Sequence, residues 1–313
     1  EYGPDVAEEL ALVLIPGDLV DSGWVYSHWA EEFFLPAQKL MAQVPFYPVL
    51  GNHEANAPFY YDYFHLPLNG TEGFEEHWWF KDYGNVRIVG MDSNFGFRVD
   101  EQLLWLEDLL AEACDVETID FVFAQLHHPY KSELWLPGEV DYTGEVISRM
   151  EAFTSQCGKP SIHFFGHTHG YSRGQSMDHE HLWVNVATAG GNIDYWGEYA
   201  QADYPEFTVS QDEWGFVMVE VEAGDDPGFH LKRISRGNED VFRDNELRDE
   251  IHIRLHNEMP DTPVGIYPSG SGIDPDMIIL EANGFQDPDG DEIMASHYRL
   301  YANCNTLSVP IED

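Results

Sequence analysis

The chain has 313 residues, 43% of them apolar, enough for one α/β domain of ordinary size plus a smaller piece. Against 15 Lys and Arg stand 57 Asp and Glu, a formal charge of -42. Such a surface repels nucleic acid and anionic membranes, which are gripped through Lys and Arg, and no stretch nears the ~18 unbroken apolar residues of a membrane span.

The acidity fits salty surroundings, where counterions screen self-repulsion within about a nanometre, and equally a merely acidic secreted protein. The chain is expected outside the cell, in the periplasm or on the cell surface. The chain starts at Glu1 without an initiator Met or a basic leader, so it is read as processed or incomplete.

Residues Glu1 to Leu10 are polar and read as the tail of a helix. Leu12 to Pro16 is an apolar strand that runs into Gly17-Asp18. From Tyr26 to Met41 an aromatic helical face is expected, with Pro36 bending or ending the helix. Phe46 to Leu50 is a second strand, running into Gly51-Asn52-His53-Glu54. The aromatic run Phe59 to His65 is read as core beneath a long loop, a stacking site for sugar or base being the alternative. Asn69-Gly70-Thr71 is a glycosylation sequon, meaningful only along a glycosylating export route.

His77 to Phe80 and Val86 to Met91 flank Asp82-Tyr83-Gly84-Asn85 as a hairpin. Asp100 is expected to cap a helix with the stripe Leu103, Leu106, Leu109 and Leu110. That helix feeds a strand, Phe121 to Leu126, ending in His127-His128-Pro129. Asp141 to Gln156 is a second helix, delivering the strand that ends in Gly166-His167-Thr168-His169-Gly170. Cys114 and Cys157 each close a helix just before one of these strands, so if the strands are neighbours the thiols meet at the far end of the sheet. A disulfide and a pair of buried free thiols are the competing readings.

Later, His181 to Ala187 and Gly215 to Val221 look like strands of a second sheet. The order fits a two-sheet α/β sandwich of βαβ units with flanking helices over residues 1–236. Residues 237–272 read as a linker. Residues 273–313 read as part of an all-β immunoglobulin-like module that continues past Asp313 into further domains of the same polypeptide. Its acidic turn carries Asp287, Asp289 and Asp291, a calcium site by ligand type or a plain surface turn.

Four strand ends of one form, each an apolar run breaking into a metal-capable residue beside Gly or Pro, invite a metal-site reading. Open α/β sheets place ligands at the carboxyl ends of their strands. A carboxylate can bridge two cations, whereas imidazole and amide oxygen each bind one. The four blocks, in this order and separation, resemble those of the calcineurin-like metallophosphoesterases over about residues 10 to 236. The text between them is most similar to the purple-acid-phosphatase-like branch, through Val44-Pro45-Phe46 and Trp79 to Val86.

The resemblance implies hydrolysis of a small phosphorylated substrate, mono- or diester, at two divalent or mixed-valence ions of Fe, Mn or Zn. It implies Asp18 as the bridging and catalytic carboxylate, Asn52, His127 and His167 completing one metal site, and His169 serving the other. His53 would contact the phosphate and protonate the leaving oxygen. His128 would touch substrate, support a ligand or pack. Asp21 stands where the purple-acid branch has a metal-binding tyrosine, and the resemblance to other members implies a loop-orienting role for it. No Asp or Asp-x-His block precedes Gly17, so either the chain begins downstream of it or one metal is retained. The alternative function is a noncatalytic extracellular binding or structural module on a degenerate scaffold of this family.

Overall fold

Short strands buried on both faces form the centre of the protein, and their side-chain alternation determines what lies on either side. The computed structural model describes residues 6–177, 179–269, 279–290, 293 and 296. It divides into two units, Glu1–Leu255 and His256–Asp313.

In the first unit, a 3-10 turn at Val6–Glu8 precedes β1 (Val13–Ile15). A helical stretch follows as α1 (Tyr26–His28), a π-helical turn (Trp29–Phe34) and α2 (Leu35–Met41). Next come β2 (Phe46–Pro48), α3 (Pro58–Tyr63), β3 (Trp79–Tyr83) and β4 (Val86–Gly90). Then α4 (Asp100–Asp115), β5 (Phe121–Gln125), α5 (Asp141–Cys157) and β6 (Ser161–Phe165) complete the βαβ part. The remaining strands are β7 (Tyr171–Gln175), β8 (His181–Val186), β9 (Phe207–Gln211), β10 (Trp214–Glu222), β11 (Gly228–Gly237) and β12 (Phe242–Arg254).

Seven strands form one sheet in the order β3-β4-β5-β6-β8-β7-β9. Its middle, β4-β5-β6-β8, is parallel, and β3, β7 and β9 add antiparallel margins. Parallel strands need helical crossovers that cover a face, and α4 and α5 supply them. Val89, Val122 and Ala124 pack with Leu103, Leu106, Leu110, Val146 and Met150 on that side.

The alternate residues Phe121, Phe123, Ile162, Phe164, Leu182 and Val184 point the other way. There they meet Val49 and Leu50 after β2, and Phe229, Leu231 and Ile251 of the antiparallel sheet β10-β11-β12. β1 and β2 form a parallel pair of their own. The layers are thus helices, sheet and further strands, the mixed α/β sandwich expected from the sequence.

Several expectations need correction. β8 belongs to the main sheet, parallel to β6, because both its faces are buried; only β10 lies in a second sheet. Residues 242–254, expected within a linker, form β12 paired along β11; alternate apolar residues such as Ile251 reach the core between runs of exposed charge. The first unit therefore ends at Leu255.

Pro36 does not end the helix: the turn before it, Trp29–Phe34, is π-helical, with Leu35 N–H reaching back to Ala30 O, and the chain runs on as α2 to Met41. Asp100 is not the N-cap: Val99 is, and Asp100 opens α4, where the helix dipole favours a carboxylate. The aromatic run is core, with Tyr60 and Phe64 buried against Trp29 and Phe33. Cys114 and Cys157 are joined by a disulfide.

The sequon's Asn69 side chain acts as a strand partner: Nδ2 donates to Phe80 O and Oδ1 accepts from Phe80 N–H. In the second unit, β13 (Gly265–Tyr267) pairs antiparallel with β14 (Glu281–Ala282). Most of 273–313, with Cys304, lies outside the described residues, and no immunoglobulin-like sandwich is seen among those described. Of the acidic turn, Asp287 Oδ1 accepts from Asp289 N–H and Asp289 Oδ2 accepts from Glu258 N–H, while Asp291 lies outside the described residues.

Candidate metal centre

The loops after β1 and β2 approach so closely that only glycine fits between them. A Cβ on Gly17, whose φ is +84°, would lie 2.6 Å from Gly51 Cα, and one on Gly51 would lie 2.1 Å from Asp18 Oδ1. Asp18 and His167 themselves hold left-handed φ values of 55° and 68°, a conformation that non-glycine residues adopt at a cost of order 1–3 kcal/mol and that gathers at functional sites.

One buried carboxylate clips these loops together. Glu54 Oε2 accepts from Asp18 N–H (2.8 Å) and Gly51 N–H (2.9 Å), and Oε1 accepts from Leu19 N–H (2.8 Å) and Val20 N–H (3.1 Å). Burial and the charge of Asp18 push the Glu54 pKa up, while the amide donors pull against them; four N–H groups on two oxygens suit the ionised form.

Asp18, Asn52, His127 and His167 then converge. His127 Nδ1 donates to Pro16 O at 2.8 Å. Its Nε2 meets Asp18 Oδ2 at 3.1 Å, Asn52 Oδ1 at 2.9 Å and His167 Nδ1 at 3.2 Å. Three lone pairs thus face a single ring nitrogen. Burial works against a charge on His127, yet Asp18 and the Pro16 carbonyl raise its pKa. Burial likewise opposes ionisation of Asp18, but His127 holds that carboxyl far below the usual range. Burial, then the neighbouring His127, pushes His167 down to about 3. Asp18 Oδ2, Asn52 Oδ1 and His167 Nδ1 thus gather within hydrogen-bonding reach around His127 Nε2. This donor set, one carboxylate, one amide oxygen and two imidazoles, suits a borderline divalent metal, and the Pro16 carbonyl gives His127 the outer hydrogen bond that metal-binding imidazoles carry.

His169 stands beside this quartet in the cleft it shares with His167. Its N–H donates to Asp194 Oδ2 at 2.7 Å, its carbonyl accepts from Asp194 N–H, and its Nδ1 is 4.0 Å from Asp194 Oδ1. His53 Nδ1 donates to Asp21 O at 2.6 Å, which leaves Nε2 facing Asp18 Oδ2 at 3.9 Å. Asp21 orients the loop through its backbone more than its carboxylate, since its own N–H donates to Glu32 Oε2.

His128 is buried, with a ligand atom grouped with those of His127 and His167 within 4.8 Å. Ser93 Oγ accepts the N–H groups of both His127 and His128. Its hydroxyl proton is therefore left for His128 Nδ1, 2.9 Å away, which places the imidazole proton on Nε2. Burial, then His127, keeps that ring neutral.

Sequence reasoning assigned no role to Glu54 or to the segment Asp92-Ser93-Asn94. Asn94 Nδ2 donates to Asp92 Oδ1 and to the carbonyls of Leu50 and Gly51, and Asp92 Oδ2 takes His77 Nδ1 at 2.7 Å. The signal was present: Val86 to Met91 is a fifth apolar run that breaks into polar residues.

Loops at the carboxyl ends of β1, β2, β5 and β6 that bring a carboxylate, an amide and imidazoles together mark an α/β sandwich with a candidate metal-binding group of side chains at the strand ends. The calcineurin-like phosphoesterase family profile matches residues 4–171, and the chain belongs to that family. No curated protein sequence matches it. Among solved structures it is similar to the purple acid phosphatase PPD1 from yellow lupin (Lupinus luteus) seeds, at 17% identity and a TM-score of 0.57, over 80% of this chain and 47% of that one. It is also similar to GAP50, the anchor in the inner membrane complex of Plasmodium, at 13% identity and a TM-score of 0.53, over 77% of this chain and 80% of that one. The chain thus spans just under half the length of the lupin enzyme.

Proposed function

We propose that this chain hydrolyses phosphate esters of small molecules with metal held by Asp18, Asn52, His127 and His167, and with His169 serving a second ion. The meeting of Asp18 Oδ2, Asn52 Oδ1 and His167 Nδ1 on His127 Nε2 carries the reading, and membership of the calcineurin-like phosphoesterase family supports it. Two divalent ions of Fe, Mn or Zn, when bound, supply a hydroxide at neutral pH and neutralise charge on the transferring phosphoryl group.

The chain's own groups supply the remainder. His53, anchored through Nδ1 to the Asp21 carbonyl, turns Nε2 toward the site and, as the imidazolium, donates a proton to the leaving oxygen. His128 offers an N–H from Nε2 to a phosphoryl oxygen. The Cys114–Cys157 disulfide and the charge of -42 support an exported setting, oxidising and saline.

Metal analysis together with turnover of p-nitrophenyl phosphate tests this. His167→Ala is expected to lose one metal equivalent and activity together. His53→Ala is expected to keep its metal while turnover falls about 10²–10⁴-fold. Equal metal loss in both variants contradicts these roles. The likeness to GAP50, an anchor in its own setting, favours a second reading in which the scaffold binds a partner without catalysis. A protein that takes up no metal and hydrolyses no ester would support that one.

A further inference from the structure

The cleft that holds His167 and His169 has walls that phosphate chemistry does not use. Besides the two histidines it is lined by Trp135, Asp194, Glu198 and Tyr199, and it encloses about 260 Å³, room for a short alcohol. Trp135 lies 5.1 Å from His167 and 6.1 Å from Tyr199 between ring centroids. The two aromatic segments are tied by the backbone, Leu136 N–H donating to Ala200 O at 3.1 Å. Gly138 makes room for the indole, since a Cβ there would stand 2.8 Å from it. The aromatic wall is therefore built into the fold.

We infer that this cleft seats the leaving alcohol of the ester and selects one bearing a positive charge, a short amino alcohol of the choline type. The inference rests on the phosphoesterase reading. Aromatic faces attract a cation, most of all one that is poorly hydrated. Of the carboxylates, Asp194 is engaged with His169, while Glu198 stands exposed at the mouth, where its Oε2 accepts from Tyr195 N–H at 3.3 Å and its carboxylate hydrogen-bonds the neighbouring Tyr199. Both would repel a leaving group carrying further phosphates or carboxylates, and the field of a chain with charge -42 gathers cations at the opening. In the reaction, the oxygen of a water bonds to phosphorus, the phosphorus–oxygen bond to the alcohol breaks, and the alcohol oxygen takes its proton from His53, which is reprotonated by the proton that the water gives up, so phosphate and the free amino alcohol leave.

The test compares kcat/KM for choline phosphate with that for 3,3-dimethylbutyl phosphate, which has carbon in place of the quaternary nitrogen. The wild type is expected to prefer the cation roughly fivefold or more, and the ratio is expected to fall toward one in Trp135→Leu and in Glu198→Gln. Equal values in the wild type, or a preference that both variants keep, would overturn the inference. If p-nitrophenyl phosphate and both esters resist hydrolysis, the phosphoesterase reading fails by itself. The cation site is then decided by saturation-transfer NMR with tetramethylammonium against neopentanol. Signal for the cation alone, lost in Trp135→Leu with unchanged circular dichroism, supports the site, and its absence from the wild type removes it.

Discussion

At the residue scale, Glu54 matters to the centre without facing it. Its oxygens receive four backbone N–H groups from two loops, so Glu54→Gln would turn one acceptor into a donor aimed at donors. A loss of about 2–4 kcal/mol is expected, read as a lower urea midpoint, together with weaker metal uptake; an unchanged midpoint would show that the loops hold without it. His163 and His181 make a second residue-scale case. They are wholly buried, with Nδ1 of the first 3.0 Å from Nε2 of the second.

Burial pushes His163 down to about 3, and burial followed by His163 pushes His181 well below the usual value. The unfolded chain therefore binds protons that the folded one refuses, so their contribution is full above pH ~6.5 and is lost as pH falls. At pH 5 each such histidine costs about 2 kcal/mol. His163→Phe is expected to show a smaller drop in urea midpoint between pH 7.5 and 5.0 than the wild type, and an equal drop would contradict the assignment. Neither residue's importance was legible in the sequence. A Glu after a metal block and a His within an apolar strand show their roles only once distant amides and rings are brought against them.

At the element scale, the strand ends were readable because the chemistry is local: a short apolar run terminates in a ligand beside glycine or proline, and the ends of β5 and β6 were placed to within a residue or two. What was not readable was partnership between strands. β8 looked like part of a second sheet because pattern alone cannot say which neighbour buries a strand's two faces, and β12 looked like a linker because its many exposed charges hide the alternate residues packed on β11. The disulfide follows from topology, since α4 and α5 end side by side where β5 and β6 begin. With its cysteines 43 positions apart in sequence, replacing both by serine is expected to cost about 3–4 kcal/mol, measured by denaturant unfolding. Because the cysteines sit at the opposite end of the strands from His127 and His167, kcat is expected to change little, and a large loss of kcat in the folded variant would refute that separation.

At the scale of the whole molecule, composition governs. A chain with 15 basic and 57 acidic residues repels itself in its compact state. Raising NaCl from 0.05 to 1 M shortens the screening length from over 10 Å to about 3 Å, so the thermal midpoint is expected to rise by several degrees; a flat or falling midpoint would remove the saline reading.

The interlocked glycines after β1 and β2 carry one further consequence. Because neither turn has space for the other to shift alone, and one carboxylate binds amides from both, the pair should open to solvent as a single event. The amides of Asp18, Leu19, Val20 and Gly51 would then trade hydrogen for deuterium at one shared rate. The rim of the centre would thus breathe in unison, and a metal ion entering it would meet both turns already assembled.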